Sequence, residues 1–174
     1  IILAVFISGL MVGRTPEFLG KKVEAREMKI AMIIALLHPF LILVGTALAA
    51  ALPQYTADSL NNPGFHGLSE MLYEYTSSSA NNGSGFEGLG DNTPWWNIST
   101  GFVLILSRFL PIIGPVAIAG LLAQKKFVPE GDGTLKTDTA TFGLMVFAVI
   151  AIVAALAFFP VLALGPIAEY FSLY

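Results

Sequence analysis

Cysteine is absent from all 174 residues, which excludes disulfide frameworks, thiolate-bound zinc and thiol nucleophiles together. Charge is scarce as well. Only 12% of residues are Asp, Glu, Lys or Arg, where an ordinary soluble domain carries about 25%. So few charges cannot cover a water-facing surface, and hydrophobic residues make up 55% with a mean hydropathy of +0.74. The composition is that of an integral membrane protein lying in a lipid bilayer. The formal charge of −3 gives no sign of a nucleic-acid partner, and none is expected. The opening IILAVFISGLMVGR has neither an initiating Met nor a basic leader, so it does not read as a signal peptide. Its apolar run is also too short for a hydrocarbon core that takes roughly 20 helical residues, and it is read as a helix that has lost its beginning.

Three complete spans are expected after it, over residues 31–52, 98–123 and 142–166. Only Thr46 and the pair His38–Pro39 interrupt the first, and the second holds a single charge, Arg108. Basic residues are missing from the whole connection 53–97, which carries Asp58, Glu70, Glu74, Glu87 and Asp91. They gather instead before the first span (Arg14, Lys21, Lys22, Arg26, Lys29) and after the second (Lys125, Lys126, Lys136). Lys and Arg are retained on the cytoplasmic side, so both basic loops are expected inside, with the acidic connection and the terminal AEYFSLY outside.

Within the outer connection, Leu68, Met71, Leu72 and Tyr75 recur at helical spacing while Glu70 and Glu74 share another side, predicting a short helix over 66–80. It is too short to cross. A run rich in Ser, Asn and Gly follows, and Trp95 and Trp96 then stand where an aromatic belt would anchor the next span. Composition leaves two readings of SSSANNGSGF open, a flexible extracellular linker and a re-entrant pore loop. The missing basic residues and the preceding half-helix favour the pore loop. Free backbone at membrane depth is tolerated only inside protein or along an aqueous path, and filters use its carbonyls to replace a cation's water. The C-terminal end of the half-helix adds partial negative charge there, so the loop would bind cations.

Arg108 lies about ten residues into its span. A central Arg costs roughly 2.5–3.5 kcal/mol to insert, so it should face a polar interior, on the ion path or paired with a carboxylate or carbonyl. His38–Pro39 reads as a kink with a hydrogen-bonded imidazole rather than as a ligand site. FLPIIGP and FFPVLALGP are further bend signals. FLGKK lacks the spacing and hydroxyl of a phosphate loop, and EGDGTLKTD is a short cytoplasmic turn with no strand before it. The sequons at Asn82 and Asn97 read as chance matches, and no catalytic constellation remains.

Four segments, GLMVGRTPEFLGKKVEAREMK, NNGSGFEGL, NTPWWN and ALGPIAEY, closely resemble the C-terminal third of the potassium-binding subunits of bacterial Kdp potassium-transporting ATPases, over nearly the whole chain. The resemblance implies an all-α integral membrane fold of the superfamily of potassium transporters, with four repeats of span, pore loop and span around one pore. Residues 1–30 would be the end of the third repeat and a cytoplasmic loop. Residues 31–124 would be the fourth repeat, and 125–174 a second cytoplasmic loop and the final helix. Gly83 matches the filter glycine of the fourth loop, with Asn81, Asn82 and Ser84 as potassium-lining neighbours. Arg108 matches an arginine just below the filter whose charge would hinder channel-like leakage. Gly85 stands where relatives usually have Ala, which adds backbone freedom. Potassium ion is the implied ligand. A P-type ATPase catalytic subunit and small accessory membrane subunits are the implied partners, in the bacterial inner membrane, and the hydrolysis would belong to that catalytic subunit. Two alternatives stay open: a channel-like potassium transporter without an ATPase, and a structural subunit whose outer loop is a spacer.

Overall fold

The computed structural model describes residues 1–157 and 159–173. Helices α1 (Ile2–Val12), α2 (Ala25–Ala51), α4 (Gly64–Ala80), α5 (Pro94–Ala123), α6 (Ala140–Ala157) and α7 (Phe159–Leu173) dominate, with a one-turn helix α3 (Pro53–Thr56) and a two-stranded hairpin of β1 (Glu17–Phe18) and β2 (Lys21–Lys22). Three of them, α2, α5 and α6, are long and apolar enough to cross a membrane. The expected span 142–166 falls across α6 and α7, with residue 158 outside the described residues. Both α2 and α5 begin earlier than the apolar runs, because polar first turns continue helical geometry without needing to sit in lipid. Pro39 lies inside α2, Pro111 and Pro115 inside α5 and Pro166 inside α7, and each helix continues past them. The chain divides into two compact units.

One unit comprises Ile1–Ala35 and Pro111–Ala155. Its small core is Ala4, Val5 and Phe142, with Phe18, Leu135, Val146 and Val149 against them. Gly13 ends α1 in the left-handed region (φ 68°), its N–H closing on the carbonyls of Gly9 and Leu10. The segment read only as a cytoplasmic loop contains the β1–β2 hairpin, turned by Leu19 and Gly20 at φ 51° and 66°. The Gly-containing turn after α5 joins it: Arg14 Nη1 donates to the Thr134 carbonyl at 2.9 Å, and Thr15 bridges Thr134. Lys125 Nζ then donates to Glu27 Oε2 at 2.7 Å and to the Lys22 carbonyl at 2.9 Å, and pairs with Glu24 at 2.9 Å. Burial works against its ammonium, yet the hydrogen bonds to Glu27 and Glu24 outweigh it and hold the Lys125 pKa above the ordinary lysine value.

The other unit comprises Leu36–Leu110 and Leu156–Tyr174. Leu41, Ala49, Met71, Tyr75, Trp96 and Val103 form its core. α4 therefore lies inside the protein, and the acidic side of that helix is buried too: Glu70 is 0% exposed and Glu74 8%. Trp96 is a core residue rather than a lipid-facing anchor, because its Nε1–H finds a partner inward, the Ser59 Oγ at 2.7 Å. Trp95 stacks on Tyr55 with ring centroids 5.7 Å apart.

Candidate functional site

The site is built around the C-terminal end of α4. The helix is held from several directions by close backbone approach. A Cβ at Gly45 of α2 would lie 2.5 Å from the Tyr75 ring, so only glycine admits that ring. The Tyr75 hydroxyl then donates to Ser99 Oγ of α5 at 2.9 Å. On another side, Gly165 of α7 meets Ser69 and the Phe65 carbonyl so closely that a Cβ there would overlap the Ser69 hydroxyl. His38 of α2, expected to hold a hydrogen bond, has Nδ1 at 2.8 Å from Ser79 Oγ in the last turn of α4.

α4 stops where Asn81 turns left-handed (φ 57°, ψ 32°). The Asn81 N–H bonds the Ser78 carbonyl at 3.1 Å and the Asn82 N–H the Ser77 carbonyl at 3.4 Å, the Schellman pattern. Asn tolerates this backbone region better than most residues, which is why a helix can end here without glycine. Two residues on, Gly83 is also left-handed (φ 73°), and a Cβ there would meet nothing within 4 Å. The demand for glycine at 83 is thus conformational, not steric crowding.

Side chains brace this turn from within. Asn82 Oδ1 accepts the Ser77 hydroxyl at 2.7 Å, the Ser84 N–H at 3.1 Å and the Ser84 hydroxyl at 3.0 Å. Asn81 Nδ2 donates to Ser107 Oγ at 2.8 Å, and Asn81 Oδ1 accepts Arg108 Nε at 2.8 Å. The returning leg is fastened too: the Gly90 N–H donates to the Ser59 carbonyl at 2.7 Å, and Phe86 sets its ring edge to face with Tyr73, centroids 5.6 Å apart. Among the described residues, no donor takes up the carbonyl oxygens of residues 81–85. A run of exposed carbonyls on a braced turn, at the negative end of a helix, is a cation-binding arrangement.

The five residues singled out from the sequence, Asn81, Asn82, Gly83, Ser84 and Arg108, fall together here. Both asparagine side chains are occupied in holding the turn and the arginine. Sequence reasoning missed Ser77 and Ser107 as supports. Ser77 was legible only as polar composition, and Ser107 becomes a neighbour of Asn81 only once α5 packs beside α4.

A profile of the family described as potassium-transporting ATPase A subunit, KdpA, matches residues 1–171. The chain is 72% identical over 99% of its length to the potassium-transporting ATPase potassium-binding subunit of Flavobacterium johnsoniae. It is 74% identical over 99% to that of Phocaeicola vulgatus and 58% identical over 98% to that of Geobacillus kaustophilus. It spans about a third of the length of these curated relatives, 32%, 32% and 30% respectively. The chain therefore belongs to the KdpA family of potassium-transporting ATPase A subunits.

Proposed function

We propose that this chain supplies one pore loop of a potassium filter, the fourth of four, in a membrane protein that takes up potassium at the expense of ATP hydrolysed in a partner P-type subunit. The observation that carries the reading is the run of carbonyls at 81–85 that no donor among the described residues takes up, on a turn fixed by Asn81 and Asn82. Backbone carbonyls replace the water of a cation without presenting a fixed charge, so the ion can enter and leave. Three further loops would complete the cage around it. Arg108, tethered to the same turn by Asn81, sets a positive charge beside the ion path and opposes free flow. The basic loops would lie inside the cell and the 53–97 connection outside, in the inner membrane with small accessory subunits alongside. The names of the relatives favour this over a channel-like transporter that works without an ATPase.

Gly83→Ser in the complete protein tests the reading. A side chain in the left-handed region costs about 1–2 kcal/mol and shifts the carbonyls beside it. The potassium concentration for half-maximal transport should rise about tenfold or more, with weaker discrimination against other alkali cations. Unchanged affinity and ion preference would return the loop to a spacer.

A further inference from the structure

The two buried carboxylates of α4 are treated unequally. Glu70, 0% exposed, accepts the Asn61 N–H, the Asn62 N–H and Asn62 Nδ2, so it is consumed in fixing the chain that leads into the helix. Glu74, one turn later and 8% exposed, has only the Ser78 hydroxyl on Oε1, at 3.4 Å. Its Oε2 is enclosed and has no partner among the described residues. That oxygen lies against the chain leaving the helix: it is 3.6 Å from where a Cβ of Gly85 would sit, and nothing else lies within 4 Å of that point.

An enclosed carboxylate oxygen without a donor is costly, and persists where another requirement holds it. The matching donors are close by. Among the described residues the backbone N–H groups of Gly85 and Phe86 have no acceptor, and Gly85 belongs to the 81–85 segment whose carbonyls are also unengaged. The peptide unit is planar and trans, so its N–H and C=O point in opposite directions. An acceptor that draws the Gly85 N–H toward α4 therefore turns the Ser84 carbonyl away from α4.

We infer that Glu74 is a positioning residue of the filter: its carboxylate takes the backbone N–H of Gly85 when an ion is bound, and so aims the Ser84 carbonyl at that ion. The inference rests on the proposed filter role of residues 81–85. It also accounts for the room at position 85, where an added methyl would make only ordinary contact with Oε2, so Ala and Gly both leave the approach open.

Two near-isosteric variants of the complete protein, E74Q and E74M, separate positioning from structure. Gln keeps an acceptor oxygen and Met removes it. Replacing a poorly paired buried carboxylate by Met should leave thermal unfolding in detergent unchanged or raised. The E74M potassium concentration for half-maximal ATP hydrolysis should nonetheless rise about tenfold, the scale of one charge-assisted hydrogen bond, with a narrower preference for potassium over rubidium and a maximal rate within about twofold. E74Q should recover most of the affinity. Wild-type affinity and preference in a folded E74M overturn the inference, as does E74Q impaired as severely as E74M, which would leave charge alone as the cause. Should E74M not accumulate in the membrane, Glu74→Asp, which keeps the charge and withdraws the oxygens, must raise the potassium requirement several-fold, and wild-type behaviour again overturns the inference. If Gly83→Ser alters ion preference while E74M does not, the filter reading survives without this strut. If neither alters it, the filter reading itself fails.

Discussion

At the scale of single residues, the site depends on what each side chain is no longer free to do. Asn81 illustrates this: its backbone ends α4, its amide N–H donates to Ser107 and its amide oxygen holds Arg108 Nε. The arginine is therefore aimed from the turn that follows α4 and not from its own helix. That hydrogen bond restricts a long side chain that would otherwise sample several rotamers. Arg108→Gln should raise ATP-independent potassium leak in reconstituted vesicles while assembly is retained. Asn81→Ala should raise it part of the way, because the charge remains but loses its tether. A leak in Asn81→Ala equal to wild type would show the tether to be dispensable, and loss of the Arg108→Gln protein from the membrane would instead assign Arg108 a structural pairing.

Among the elements, the short helix α4 decides the geometry, and glycines on its neighbours decide α4. Gly45 admits the Tyr75 ring, itself 1% exposed and fixed through its hydroxyl to Ser99. Neither ring nor backbone can yield cheaply. Gly45→Ala should therefore destabilise the protein by about 1–3 kcal/mol, the usual cost of overpacking, read as a fall in thermal unfolding temperature. Tyr75→Ala removes the obstacle, so the double variant should lose less than the sum of the two single ones. Strict additivity would mean that the two residues are not in contact in the folded protein. The helical period of Leu68, Met71, Leu72 and Tyr75 was enough to place this helix, but the same period marked Glu70 and Glu74 only as the opposite side. That this side is buried as well follows from the loop 57–63 and the returning leg packing over it, which no local pattern records.

For the molecule as a whole, charge and apolar surface set the frame. α6 is strongly apolar, yet Phe142 is its one buried residue among those described and Leu144, Phe147, Ile150, Ile152 and Leu156 are exposed, so much of its apolar surface is left for lipid or for other protein. The asymmetry of Lys and Arg between loops predicts a testable topology. Single cysteines at Glu87 and Asp132, both exposed, can be labelled in the complete protein once any cysteine outside these 174 residues, which contain none, has been replaced. A membrane-impermeant maleimide should reach position 87 from outside intact cells and position 132 only in inverted vesicles. Labelling of both from the same side would refute the orientation.

Composition and periodicity by themselves determined that the protein is helical and membrane-embedded, where α2 and α5 run, and that a non-spanning helix is followed by a polar glycine turn, whereas the apolar run 142–166 proved to be divided between α6 and α7. These are properties of neighbours along the chain, set by solvent exclusion and by the 3.6-residue repeat. Charge within an apolar span marked Arg108, and family motifs added Gly83 with its neighbours Asn81, Asn82 and Ser84. Only the tertiary structure decided that Asn81 carries Arg108, that Trp96 is interior, and that Glu74 Oε2, without a partner among the described residues, lies behind Gly85. Each joins residues from separate segments or opposite legs of a turn, and the free energy of such a meeting depends on packing that sequence spacing does not encode.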